Sequence, residues 1–141
     1  CSGALRLGPW MEKWINGEDT GAKVKENNGT ITVTGASKNK SYAPVYRVVT
    51  VNLDKTPILN VKPASVTGVW YLEAIGGLLK APVKIQPDTN TTERKSYELK
   101  KMLGLSGEQS FELHVGIGSG DANPNMGKET AIAELAFTSA Q

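Results

Sequence analysis

Cysteine is almost missing from this chain: of 141 residues only Cys1 is one, which excludes an internal disulfide and any multi-cysteine metal cluster. Histidine is as scarce, with His114 alone, and no Gly-x-Ser-x-Gly elbow accompanies it, so a hydrolytic triad has no support. No apolar run approaches the roughly 20 residues needed to cross a bilayer as a helix. Charge of one sign is lacking too. Sixteen Lys and Arg stand against 14 Asp and Glu, for a net charge of +2 and a pI near 8.7. The lysines are scattered among acids rather than gathered into a stripe, which removes the electrostatic footprint of a nucleic-acid binder. Helical periodicity is rare: Tyr97 to Leu103 can close a turn before Gly104, and Trp10 to Ile15 can form another, placing Trp10 and Trp14 on one face.

What the chain has is alternation. Tyr42 to Ala74, YAPVYRVVTVNLDKTPILNVKPASVTGVWYLEA, reads as three strands: Val45 to Leu53, Ile58 to Val61 after the turn Asp54-Lys55-Thr56-Pro57, and Trp70 to Ala74. Thr30 to Thr34 alternates strictly after Asn27-Asn28-Gly29. Val83 and Ile85 alternate with Lys84 and Gln86, and Phe111, Leu113, Val115 and Ile117 with Glu112, His114 and Gly116. Lys95 to Leu99 and Ala131 to Phe137 complete a set of about eight strands, punctuated by Gly, Pro, Asn and Asp. Residues 1–141 suit one domain, with residues 1–28 as a segment packing on it. The predicted class is all-β, a jelly-roll β-sandwich of two antiparallel sheets.

The order VYRVVTVNLDKTPIL, GVWYLEA, VKIQPDT, SYELKKMLGLSGEQSFELHVGIG and AIAELAF, from Gly29 to Phe137, resembles the galactose-binding-domain-like jelly rolls that serve as carbohydrate-binding modules of secreted bacterial polysaccharide-degrading enzymes. That resemblance implies sugar binding at the loops ending the sandwich or on the concave face of a sheet, with a structural calcium ion and a neighbouring catalytic domain. Ala133-Glu134-Leu135 departs from it, standing where such domains often carry an aspartate-containing strand.

A sugar presents an apolar C–H face and a rim of hydroxyls, so a site needs a flat aromatic ring beside planar donors and acceptors. Tyr42 precedes the strand carrying Arg47, Trp70 and Tyr71 open another strand, and Asn123 and Asn125 lie in the loop SGDANPNMGK, so these residues are expected to converge at one end of the sandwich. Trp70 shares its face with Leu72 and Ala74, which fits a core residue as well as a platform; Tyr71, on the opposite face beside Glu73, is the better exposed candidate. Arg47 belongs to the apolar stripe Val45, Val49, Val51 and Leu53, either snorkelling from it or aimed into a pocket at the sandwich mouth. Gln86 and His114, pointing away from Ile85 and Leu113, are expected on a solvent face with Lys84 and Glu112, either as ordinary surface residues or as a second binding surface.

For calcium, Asn16-Gly17-Glu18-Asp19-Thr20-Gly21 offers oxygen ligands through Asp19, and Glu134 can approach from the last strand; a solvated acidic turn fits the same residues. Glu73, Glu112 and Glu134 could form a glycosidase pair only by accident of placement. Gly118-Ser119-Gly120 lacks the Gly-Lys-Ser/Thr of a phosphate cradle, and the sequons at Asn28, Asn39 and Asn90 matter only in a eukaryotic secretory pathway. Cys1-Ser2-Gly3 looks like the lipid-anchored start of a mature bacterial lipoprotein, or is merely a cut in a longer chain. The expected function is non-catalytic polysaccharide binding, outside the cell or on its surface. A structural or protein-interaction sandwich is the alternative.

Overall fold

The computed structural model describes residues 10–12 and 21–140. Nine strands and one short helix follow among them: β1 (Ala22–Asn27), β2 (Thr30–Gly35), β3 (Tyr42–Asn52), β4 (Ile58–Thr67), β5 (Val69–Ile75), β6 (Val83–Thr89), β7 (Lys95–Glu98), α1 (Leu99–Leu103), β8 (Glu108–Gly118) and β9 (Glu129–Thr138). They form a five-stranded sheet, β1-β2-β9-β4-β7, and a four-stranded sheet, β3-β8-β5-β6. Every pairing is antiparallel. Only β1–β2 and β5–β6 are joined within one sheet. Every other connection crosses between sheets, which sets β2-β9-β4-β7 against β3-β8-β5-β6 in the jelly-roll order the alternation predicts.

Local chemistry explains the punctuation. Asn28 (φ 53°) and Gly29 (φ 83°) both take left-handed backbone, which the two-residue β1–β2 hairpin requires and Asn-Gly supplies. Gly68 separates β4 from β5 at φ +90°, where a Cβ would lie 2.2 Å from the Gly118 carbonyl oxygen. Pro63, without an N–H to donate, occurs within β4 where the register against β9 shifts on both sides of it, a bulge that tolerates the missing bond. Gly104 ends α1 in the left-handed conformation, its N–H bonded to Lys100 O.

The core lies between the inner faces of the two sheets. Val45, Val49 and Val51 of β3, Phe111, Leu113, Val115 and Ile117 of β8, and Trp70, Leu72 and Ala74 of β5 face Ile31, Val33, Leu59, Val61, Ile132 and Phe137 of the other sheet. Trp70 is 0% exposed, and its indole N–H donates to Thr91 O at 2.9 Å, so the ring fills the core while its polar atom is satisfied at the boundary. This resolves the two readings of Trp70 in favour of packing; no face of it is open to a ligand.

Two expectations are corrected. The stretch ahead of the β1–β2 hairpin is not all a segment packed on the sandwich: Ala22–Asn27 is the outer strand of the five-stranded sheet. Its Lys23, Lys25 and Glu26 suit an edge strand, where charge discourages pairing with another chain, and that same charge hides the alternation. Nor does Met11 begin a helix. It exchanges two backbone hydrogen bonds with Tyr46, 2.7 and 3.1 Å, on the free edge of β3. The expected partner of Trp10 on that helix, Trp14, lies outside the described residues.

Replacing Trp70 by Ala removes a fully buried ring and an indole hydrogen bond and is expected to destabilise the fold by about 3–5 kcal/mol. Urea unfolding followed by circular dichroism reads this as a lower midpoint; an unmoved midpoint would place Trp70 outside the core.

Candidate functional site

The outer face of the four-stranded sheet is built around two glycines. Cross-strand partners project to the same face, and β8 sets Gly118 opposite Tyr42 and Val69, Gly116 opposite Pro44 and Tyr71, and His114 opposite Tyr46 and Glu73. The glycines leave the backbone bare, and aromatic rings lie on it. A Cβ on Gly116 would stand 1.9 Å from the Tyr71 ring, and one on Gly118 would stand 2.7 Å from that of Tyr42. The two tyrosines meet edge to face, centroids 6.0 Å apart and planes at 66°.

Strand β6 completes the arrangement. The Tyr42 hydroxyl donates to Asp88 Oδ2 at 2.5 Å, and Lys84 Nζ stands 4.1 Å from the centroid of the Tyr71 ring, with Glu73 3.8 Å from the same ammonium. Tyr42, Tyr71, Lys84 and Asp88 line a hollow of about 260 Å³. Tyr42 is 37% exposed and Tyr71 only 8%, so Tyr42 offers the open ring and Tyr71 the wall. The hydrogen bond to Asp88, followed by burial and the charges of Asp88 and Asp121, pushes the Tyr42 hydroxyl above its usual range; burial, aided by Glu73 and Asp88, does the same to Tyr71. Both are neutral donors across the physiological range.

Next to the hollow, His114 is 1% exposed, stacked on Tyr46 with centroids 4.9 Å apart and 2.9 Å from Glu112 Oε1 through Nε2. The expectation that it is a solvent-face residue is corrected: the Tyr46 ring packs on it. Burial lowers its pKa, opposed by the hydrogen bond and charge of Glu112 and the charge of Glu73.

The remaining expected site residues disperse. Gln86 does not share a face with His114, because the β5–β6 register shifts on both sides of Leu72 and pair Gln86 with that inward residue. Its Oε1 accepts from the Tyr97 hydroxyl at 2.6 Å, in the other sheet, while the same shifts leave Lys84 beside Glu73. Arg47 does not join Tyr42: its cross-strand partner is the wholly buried Leu113, and the guanidinium meets Glu26 at 2.8 Å and the Trp10 ring at 5.3 Å between the sheets. Asn125 is buried, accepting from Ser37 N at 2.9 Å and donating its own N–H to Lys40 O at 2.8 Å; it pins the β8–β9 loop and is closed to a ligand. Asn123 is exposed in that loop, its N–H bonded to Asp121 Oδ1.

Of the two calcium ligands expected, Asp19 lies outside the described residues, and Glu134 is paired with Arg94 at 2.6 Å. Among the described residues no group of three or more His, Cys, Asp or Glu is placed to hold a metal ion.

Asp88 at the hollow has no signal in the sequence, and Lys84 appears there only as a neighbour of Gln86 and His114 on an expected solvent face. The one signal for the site was Gly116-Ile117-Gly118, since glycines inside a strand mark a place where something approaches the backbone closely.

No family model matches the chain, and no curated protein matches it. Among solved structures, it is similar to one described as "Structure of PfGH50B", with a TM-score of 0.55 and 16% identity over 86% of this chain. At that identity the likeness is one of fold. The chain spans 22% of the length of that structure's chain.

The lowered pKa of His114 has a readable consequence. With the folded value below the unfolded one of about 6.5, the unfolded chain binds the extra proton first, so stability is whole above about pH 6.5 and declines as pH falls below it. A proton NMR titration of this lone histidine is expected to show a midpoint below 6.5; a midpoint at or above that value contradicts its burial.

Proposed function

We propose that the chain is a non-catalytic carbohydrate-binding sandwich that takes a neutral glycan in the hollow formed by Tyr42, Tyr71, Lys84 and Asp88. The observation that carries this reading is the open Tyr42 ring lying over Gly118 at the lip of that hollow, with a carboxylate and an ammonium on the opposite wall. A ring beside a planar acceptor and a donor matches the C–H face and hydroxyl rim of a pyranose. Hydroxyls of a sugar can share the Asp88 carboxylate with Tyr42 and displace water from Lys84.

Charge selects among glycans. Glu73, Glu112 and Asp88 stand on or beside this face and Asp121 is near enough to act on Tyr42, against Lys84 and, beside Asp121, Lys128. A uronate or sulfate approaching the hollow meets an excess of carboxylates, and a neutral sugar does not. Arg47 has no part in that choice, since it is compensated by Glu26 and lies elsewhere.

The fold likeness to PfGH50B supports a place beside a glycan-degrading catalytic domain, and secretion or surface attachment goes with that place.

Native gels cast with neutral polysaccharides and, separately, with uronate or sulfated ones test the proposal. Retardation by at least one neutral polymer is expected, with Tyr42→Ala weakening it about tenfold while the urea midpoint scarcely moves. Binding to acidic polymers alone would contradict the charge argument. No binding across the whole panel would leave the structural or protein-interaction sandwich as the better reading.

A further inference from the structure

A second cavity opens where the free edges of the two sheets meet, on the inner side of β3. It encloses about 190 Å³ and is lined by Trp10, Glu26, Gly29, Ile31, Arg47 and Leu135. Glu26 pairs with Ile31 across β1–β2, Leu135 pairs with buried Val61 across β4–β9, and Arg47 pairs with buried Leu113 across β3–β8, so all three side chains enter the space between the sheets. Residues 10–12 bridge the seam. Met11 is bonded to Tyr46 of β3, and the Glu12 carboxylate accepts from Val24 N of β1 at 2.7 Å, which sets Trp10 over the Arg47 guanidinium.

The geometry points to a second binding site in this seam, for a single neutral sugar ring or the end of a glycan chain. One end of the cavity is polar and the other apolar. Glu26 supplies an acceptor, the guanidinium supplies donors, and the Trp10 ring, Ile31 and Leu135 supply hydrocarbon surface. The Trp10 Nε1 atom is buried with no hydrogen-bond partner among the described residues, an unmet donor on a residue that lines the cavity.

Three chemical arguments narrow the ligand. Arg47 and Glu26 are 2.8 Å apart and cancel, so an anion would have to displace Glu26 from the guanidinium and leave that carboxylate unpaired. A wholly apolar ligand would leave the indole N–H and Glu26 unanswered. At about 190 Å³, smaller than the outer-face hollow, the cavity suits one ring. Glycine at position 29, in the hairpin turn at φ +83°, leaves the rim without a side chain.

This site rests on the saccharide reading for its ligand class, and it differs from the outer-face hollow in place and in the ligand length it admits. The test is a nitrogen-15 NMR titration of the whole chain with methyl glycosides of glucose, galactose, mannose and xylose, with methyl glucuronide as the acidic probe. The indole N–H of Trp10 is identified by its loss in Trp10→Phe. At least one neutral glycoside is expected to shift that resonance saturably, and glucuronide is not. Glu26→Gln is expected to weaken the response about tenfold, and Leu135→Phe, which fills the floor, to remove it; Tyr42→Ala is expected to leave it unchanged. The site is overturned if no neutral glycoside moves the Trp10 signal, if Tyr42→Ala abolishes the shift, or if both Glu26→Gln and Leu135→Phe fold and bind like the parent. Because polysaccharide retardation by the outer face is read separately through Tyr42, loss of this site and loss of the carbohydrate reading give different patterns.

Discussion

From Leu113 to Gly118 strand β8 is buried on both faces, and the rest of the molecule is arranged around that constraint. Phe111, Leu113, Val115 and Ile117 on its inner face are the centre of the core, flanked by β3 and β5 at matched register. On its outer face the same strand carries His114, Gly116 and Gly118, and it is buried there because neighbouring rings lie down on it. A strand with a full complement of side chains on that face would force Tyr42 and Tyr71 outward and leave no hollow. Glycine weakens a strand, and here the aromatic rings above it replace the packing that a side chain would have supplied.

The sandwich has a second point of tension at the seam between β1 and β3. An arginine in an otherwise apolar inward stripe carries a desolvation cost, seen in the lowering of its pKa by burial. Glu26 and Trp10 offset that cost by pairing and stacking, and both reach Arg47 because edge strand β1 and residues 10–12 close the seam. An inward charge at a sheet edge also discourages the edge from pairing with another chain. The two candidate sites therefore arise from one architecture: a glycine patch on the outer face overlaid by tyrosine rings, and a charged gap where the two sheets do not quite close.

Much of the fold was legible in the sequence because its signals are local. The Asn28-Gly29 turn, the β-branched run of β3, the alternation of β8 and the glycine after Leu103 each act through neighbouring backbone, and each appears where alternation and turn chemistry place it. Strand β1 was not legible, since an edge strand of Lys, Val, Lys and Glu has too little alternation to register. The site was only half legible. Tyr42 and Tyr71 come together as strand parity implies, but the burial of Tyr71 depends on Gly116 beneath it and Lys84 above it, neither adjacent in sequence. Strict alternation along β6 sends Gln86 to the solvent face, because it takes no account of register shifts, which are set by the partner strand. Arg47 was correctly placed on the inner stripe, yet its partners Glu26 and Trp10 come from segments with no sequence signal for contact.

The central claim is that the tyrosines lying over the outer face of β8 are where the molecule meets a glycan. The most direct measurement is a map of backbone amide shifts on adding short neutral oligosaccharides cut from whichever polysaccharide retards the protein. The account predicts that the largest shifts cluster at Tyr42, Tyr71, Lys84, Asp88, Gly116 and Gly118. Shifts gathered instead around the groove of Pro57, Ile58 and Leu105 at the far end of β4, with the outer face silent, would contradict it.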